Sequence, residues 1–337
     1  MTQRRPTSFD IAALAGVSQP TVSRALSGNA AVSEETRAKV LAAAKELNYT
    51  VDRNASGLRK GQSRTIALLF FEDPTPDDTL INPFYLSMVG AITRACATAG
   101  YDLLISFQQL SADWHVDYED SRKADGIILL GYGNYLKAKP RLEQLVSQGT
   151  HFVRWGAARK GQIGTTVGSD NVEGGYLAGR HLVERGRRKI AFIGTADATS
   201  PEMLERFQGL TRALEEDGLR PVMRIDASPT EEAGDAAART LLESGTDFDA
   251  IFASSDLAAI GAMRRLKKEG RTIPDDVAIV GFDDIAAARF ADPSLTSISQ
   301  DTRRAAETLV DTLLATIEDR PSGSVLLPVE LIARRSS

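Results

Sequence analysis

Apolar residues recur at helical spacing from the start of the chain. In residues 8–28, SFDIAALAGVSQPTVSRALSG, Ile11, Ala12 and Ala15 share a face, and Gly16-Val17 breaks the pattern. Ser18 is then placed to cap a second helix whose inner face carries Val22 and Leu26. Pro20 falls in that helix's first turn, where its missing N–H costs nothing. Ser33 is the expected cap of a third helix, with Glu34 and Glu35 at its positively polarised start and Val40, Ala44 and Leu47 on its buried face. That helix is expected to end near Asn48-Tyr49. Two short helices joined by a Gly-containing turn have the form of a helix-turn-helix, whose second helix presents its N-terminal residues to base edges in the DNA major groove. A small helical hairpin inside a larger core would show the same apolar spacing.

Residues 50–63, TVDRNASGLRKGQS, are polar and basic and read as a linker. From Arg64 onward, apolar runs alternate with amphipathic stretches. Strands are expected at Ile66–Phe71, Tyr101–Phe107, Gly126–Leu130, Phe152–Trp155, Ile190–Ile193, Ala250–Ala253 and Val277–Phe282. Helices are expected near 84–99, 139–148, 173–185, 204–217, 230–244, 256–269 and 302–318. This alternation implies parallel sheets covered on both faces. It runs too long for one sheet, so the expected architecture is α/β with two doubly wound parallel subdomains behind a three-helix head. The expected boundaries are 1–49 for the head, 50–63 for the hinge and 64–337 for the core. Within the core, about 64–166 plus 297–322 would form one subdomain, and about 167–296 plus 323–337 the other. Such sheets bind ligands beyond the C-terminal ends of their strands.

Charge changes the picture more than composition does. With 42% apolar and 25% charged residues among 337, the chain is of ordinary globular type. Its net charge of −5 conceals an asymmetry: residues 1–64 hold ten basic and five acidic side chains, +5, which leaves −10 for the remainder. A basic head on an acidic body suits contact with phosphates. The single cysteine, Cys96, fits a reducing compartment, and no stretch reaches the roughly 18 apolar residues that span a membrane, so a cytoplasmic protein is expected.

Asp10-Ile11-Ala12, Ala15-Gly16-Val17-Ser18 and Thr21-Val22-Ser23-Arg24-Ala25-Leu26, followed by Val32-Ser33, Thr36-Arg37, Ala44, Leu47 and Tyr49, resemble the opening of the lactose-repressor/galactose-repressor family of bacterial transcription regulators. The resemblance continues through Asn82-Pro83-Phe84, Asp170-Asn171, Arg206-x-x-Gly209, Ser255-Asp256, Val280-Gly281-Phe282-Asp283-Asp284, Leu295-Thr296-Ser297-Ile298 with Gln300, and Arg334 with Ser336. It implies a periplasmic-binding-protein-like core and a homodimer on a palindromic operator. It assigns DNA contact to Ser18, Gln19, Thr21, Ser23, Arg24, Thr36, Arg53 and Leu58, the last as a minor-groove wedge in a hinge that orders on DNA. Val51, Asp52 and Ser56-Gly57 depart from the family's hinge, and Gly57 weakens a helix there.

For effector binding the resemblance selects Arg206, Asp283, Ser255 and Gln300, with Phe84 and Tyr85 as an aromatic face. Ser255 stands where relatives often carry Asn, and Gly156 where many carry Asp. Trp155 thereby becomes a candidate stacking platform, and the expected effector is a sugar or glycoside. The segment 72–81, EDPTPDDTLI, is either a lid or a tolerated insertion.

No phosphate-binding loop, nucleophile elbow or zinc-helix motif is present in the sequence, and Gly131-Tyr132-Gly133 lacks the third glycine of a dinucleotide fingerprint. His115, His151 and His181 lack ligand spacing, so no metal and no cofactor are expected. The adjacent Asp283 and Asp284 read as hydrogen-bond acceptors at a strand end. A regulator, probed by salt-dependent palindrome binding, is the expected function. The alternative is a sugar-binding protein or α/β enzyme with an accessory helical head. The sequence ends without a leucine-heptad tail, so a dimer is expected, not a tetramer.

Overall fold

The computed structural model describes residues 6–26, 29, 31–49, 62–70, 81–107, 113–131, 133–159 and 161–337. It divides into two compact units, Met1–Ser63 and Arg64–Ser337.

In the first unit, α1 (Ser8–Ala15) begins where the backbone N–H and hydroxyl of Thr7 both donate to Asp10 Oδ2 at 2.7 Å. Gly16, at φ +67°, ends it in the left-handed conformation that only glycine adopts without strain. Helix α2 (Gln19–Leu26) follows at once, and α3 (Glu34–Glu46) starts from Ser33, whose hydroxyl accepts from the Thr36 N–H at 3.3 Å. The three helices enclose a small core centred on the fully buried Ile11, Val22 and Val40. Ala25 takes the buried position expected of Leu26, which is only half-buried at the rim of that core.

The second unit contains two six-stranded sheets. The first, ordered β11-β5-β4-β3-β1-β2, consists of β1 (Thr65–Phe70), β2 (Asp102–Phe107), β3 (Gly126–Leu130), β4 (Phe152–Trp155), β5 (Thr165–Ser169) and β11 (Val325–Leu327), all parallel. The second, ordered β12-β10-β9-β8-β6-β7, consists of β6 (Ile190–Ile193), β7 (Met223–Ile225), β8 (Ala250–Ala253), β9 (Ala278–Asp283), β10 (Thr296–Gln300) and β12 (Val329–Ile332). Here the edge strand β12 runs antiparallel to β10, a departure from the expected all-parallel sheet. Helices α4 (Pro83–Thr98), α5 (Tyr135–Ser147) and α11 (Thr302–Ile317) accompany the first sheet. The second has α6 (Asn171–Glu184), α7 (Pro201–Glu215), α8 (Glu231–Glu243), α9 (Asp256–Lys268) and the short α10 (Ala286–Phe290). A π-helical turn at His115–Asp120 was not foreseen.

The chain crosses between subdomains three times, after Ser169, Gln300 and Leu327. The expected boundaries therefore need correction. Residues 167–169 pair within the first sheet, Thr296–Gln300 pair with β9 and β12 in the second, and Val325–Leu327 return to the first. The sequences TTVGS and TSISQ carry no apolar run, so only their pairing partners reveal them as buried strands. Asp170 and Asp301 cap the helices that follow two of these crossings, accepting from Glu173 N–H and Arg304 N–H at 2.9 Å.

Helices α6 and α7 touch through their backbones. A Cβ added to Gly175 would lie 1.9 Å from the Arg206 carbonyl oxygen, and one on Gly209 would lie 1.9 Å from that of Val172. Gly175→Ala should therefore destabilise the core by about 3 kcal/mol, at the upper end of overpacking costs. Gly90→Ala, where nothing lies within 4 Å of the added atom, should be neutral or gain up to ~1 kcal/mol from helix propensity. Urea unfolding of the two variants checks this, and equal midpoints would contradict the close helix contact.

Candidate functional site

On the head, Ser18, Ser23 and Arg24 are exposed, while Gln19, Thr21 and Thr36 are half-buried. Ser18 Oγ accepts from the Thr21 N–H at 3.4 Å and so caps α2, and it shares a hydroxyl–hydroxyl hydrogen bond of 2.8 Å with Thr21. Thr36 similarly bonds Ser33 at 2.9 Å. Gln19 Nε2 donates to Ser8 Oγ at 3.2 Å, which ties the start of the second helix to the first. Arg24 carries the one full positive charge on α2. Arg53 and Leu58 lie outside the described residues, as does the segment 72–81 except for Ile81.

The second unit holds a cavity of about 410 Å³ between its two sheets, at the C-terminal strand ends. Phe70, Phe107, Leu130 and Trp155 close β1 to β4 on one side. Thr195, Ala227, Ser255 and Asp283, which follow or end β6 to β9, face them. This is the position that open α/β sheets reserve for ligands. Phe84, Tyr85, Trp155, Arg206, Ser255 and Asp283 all line this one cavity. The wall from the first subdomain is aromatic: Phe84 packs against Tyr85 with ring centroids 5.5 Å apart and against Trp155 at 6.1 Å. The facing wall supplies the charge.

That charge is built on α7 and the end of β9. The Arg206 guanidinium stacks on Phe282, 3.5 Å from the ring centroid, and donates to Asn171 Oδ1 at 2.9 Å and to the Ser254 carbonyl. It stands 3.7 Å from Asp283 Oδ1. Asp283 has φ +113°, a backbone conformation uncommon for a non-glycine residue and of the kind that clusters at ligand sites. Burial pushes its carboxyl up to about 6, against the opposing pull of Arg206 and of Gln300. Gln300 does not line the cavity; it donates to Asp283 Oδ1 at 2.7 Å from behind. Ser255 lines the cavity, but its hydroxyl caps α9 by accepting from Ala258 N–H at 3.2 Å. Asp284 faces away and pairs with Arg334 at 2.5 Å.

Several participants were not legible in the sequence. Asn171, 2% exposed, orients Arg206. Glu202, on the cavity wall, accepts from the Ala157 N–H of the first subdomain at 2.9 Å. Asp256, fully buried, accepts from Ser297 Oγ at 2.6 Å and Ile285 N–H at 2.8 Å, and burial beside Asp283 pushes its carboxyl well up. The histidines are less scattered than expected: His115 and His151 approach Glu119 Oε2 at 3.7 and 3.3 Å. Among the described residues no group of three or more His, Cys, Asp or Glu is arranged to hold a metal ion.

Residues 9–52 match the family described as bacterial regulatory proteins, lacI family, and residues 180–337 match the periplasmic binding protein-like domain. The HTH-type transcriptional regulator CelR of Thermobifida fusca is 33% identical over 338 residues, covering 98% of this chain and 96% of its own. Among solved structures, the CelR–cellobiose complex aligns with a TM-score of 0.73 at 31% identity, covering 99% of this chain and all of that one. The Lac repressor dimer bound to operator and the anti-inducer ONPF aligns with a TM-score of 0.83 at 26% identity, covering 99% of each chain.

Proposed function

The chain belongs to the lacI family of bacterial regulatory proteins, and on that premise we propose that it is a transcriptional repressor released from a palindromic operator by a β-linked disaccharide or glycoside. The observation that carries the effector reading is the two-sided cavity, with aromatic rings on one wall and an Arg206–Asp283 pair on the other. Sugars present this same combination, with apolar C–H faces for stacking and paired hydroxyls for a charged donor and acceptor. A volume of about 410 Å³ lies within the ordinary range of small-molecule sites. CelR, the relative whose structure holds cellobiose, supports the same ligand class.

The homodimer matches the two-fold symmetry of its operator. Edge strand β2 supports this reading: Leu104 and Ile105 are 38% and 47% exposed there, an apolar edge that calls for cover. Ser18, Gln19, Thr21, Ser23, Arg24 and Thr36 form the DNA-reading surface, with Arg53 and Leu58 of the hinge added. The relatives are regulators, no catalytic step is assigned, and the protein acts on cytoplasmic DNA. Among the described residues no helix is long and apolar enough to cross a membrane. Effector and operator affinities are linked, so each must change the other by one factor.

Fluorescence anisotropy of the full chain on its own promoter fragment, at fixed near-physiological salt and with a panel of mono- and disaccharides, tests the reading. The expected result is a Kd of roughly 10⁻⁸–10⁻¹¹ M, weakened by one β-linked sugar. Operator binding that no sugar alters would overturn the effector class, and absence of binding would overturn the regulator.

A further inference from the structure

Helix α7 has two jobs in the geometry above. Arg206, Glu202 and Met203 line the cavity, while a stripe at three-residue spacing holds the first subdomain. Thr199, just before the helix, accepts through its carbonyl from the Tyr135 N–H at 2.9 Å. Glu202 accepts from the Ala157 N–H, Glu205 binds Arg159, and Gln208 Oε1 accepts from Arg159 at 3.3 Å. The start of α5 and the loop after β4 are thus clamped along α7 and the residues just before it.

One strand of this clamp continues into the cavity. Arg159 binds Glu205 Oε1, and Glu205 Oε2 accepts from Asn171 Nδ2 at 3.4 Å. Asn171 Oδ1 accepts from Arg206 Nε at 2.9 Å, and Arg206 stands at Asp283. Every inner member is largely out of water, with Glu205 and Arg206 each 7% exposed and Asn171 2% exposed. Buried polar contacts of this kind have few alternative partners, so displacing one member forces the next to respond.

We propose that Arg159 is a positioning residue that ties the effector cavity to the relative pose of the two subdomains, acting through Glu205, Asn171 and Arg206. The role rests on the repressor reading for its consequence at DNA but not for its geometry. Arg159 makes no contact with the cavity, and its side chain is 33% exposed. An exposed ion pair would do little, but here the acceptor is buried, so removing the guanidinium strands a carboxylate beside Asn171. An effector that draws Arg206 toward its hydroxyls pulls on the same chain from the other end.

The test uses the full-length protein as Arg159→Ala, Arg159→Lys, Glu205→Gln and the double variant Arg159→Ala/Glu205→Gln, with two readouts. In hydrogen exchange, Arg159→Ala should speed exchange of the Tyr135 and Ala157 amides at least tenfold, with Leu129 and Ile193 in the central strands unchanged. In operator binding with cellobiose, lactose or glucose as probe, the ratio of affinities without and with sugar should fall at least about fivefold, the lower bound of typical allosteric couplings. Arg159→Lys should recover part of both effects, and the double variant should be no worse than the stronger single one. Unchanged exchange at the two amides overturns the proposal. So does faster exchange with the affinity ratio within twofold of the parent, which is the signature of a purely structural contact. A parent protein that answers to none of the three sugars sinks the proposed effector class by itself, and the exchange rates still judge the clamp.

Discussion

Arg24→Ala should weaken operator binding by roughly 30-fold to 10⁴-fold, because a good bidentate base contact contributes about 1–3 kcal/mol and a homodimer loses two of them. Arg24 is the long cationic side chain on the exposed face of α2, while the Ser18 hydroxyl caps that helix and the Thr21 hydroxyl is bonded to it. A hydroxyl that caps a helix can still meet a phosphate, but it reads a base edge less freely than a guanidinium does. Anisotropy on the operator and on a scrambled duplex at the same salt separates the two kinds of contact. Loss on the operator alone marks Arg24 as a reader of sequence. Equal loss on both, with a shallower salt dependence, would mean that Arg24 contacts phosphates and that specificity comes from elsewhere on α2.

Asp283→Asn should make the core more stable and the switch nearly deaf. The folded-state pKa of Asp283, about 6, lies above the usual value near 4 for an unfolded aspartate. A carboxyl raised in this way favours the folded state only while protonated. Its contribution is fully present below about pH 4 and is lost as the pH rises through 6. At pH 7.5 the ionised, buried group therefore costs about 3 kcal/mol, at 1.36 kcal/mol per pKa unit. The amide resembles the protonated acid and escapes that cost. Asp283→Asn should gain up to ~3 kcal/mol at pH 7.5, and the advantage should vanish by pH 4. Urea unfolding across that range reads it, and an advantage independent of pH would refute the assignment to ionisation.

Effector binding should move the other way. A carboxylate accepting from a sugar hydroxyl contributes roughly 1.5–3 kcal/mol, so the variant should need about 10- to 150-fold more sugar to release DNA. In the parent protein, effector affinity should decline as the pH falls below about 6, where Asp283 becomes protonated. An effector response of Asp283→Asn equal to the parent's would remove this residue from the site. Opposite movement of stability and response is the behaviour expected when a binding group is held in an unfavourable state for function.

Much of the molecule was legible because its signals are local. Helix caps at Ser18 and Ser33, the helix break at Gly16 and the apolar runs of β3, β4, β6 and β8 each follow from a few consecutive residues and a fixed periodicity. The residues chosen for the cavity wall were reached by family resemblance at separated positions, and Phe84, Tyr85, Trp155, Arg206, Ser255 and Asp283 face one space.

Tertiary structure alone decided the rest. TSISQ carries no apolar run, yet it is an interior strand because β9 and β12 flank it, which moves the expected subdomain boundary from residue 296 past Gln300. Gln300 supports Asp283 from behind, a distinction that depends on which face of β10 turns toward the cavity. Arg159 and Glu205 are 46 residues apart in sequence and meet only when the loop after β4 docks on α7. Periodicity and capping record what a segment does with its own backbone. Which side chains meet across a cleft depends on how finished elements pack, and no local pattern carries that information.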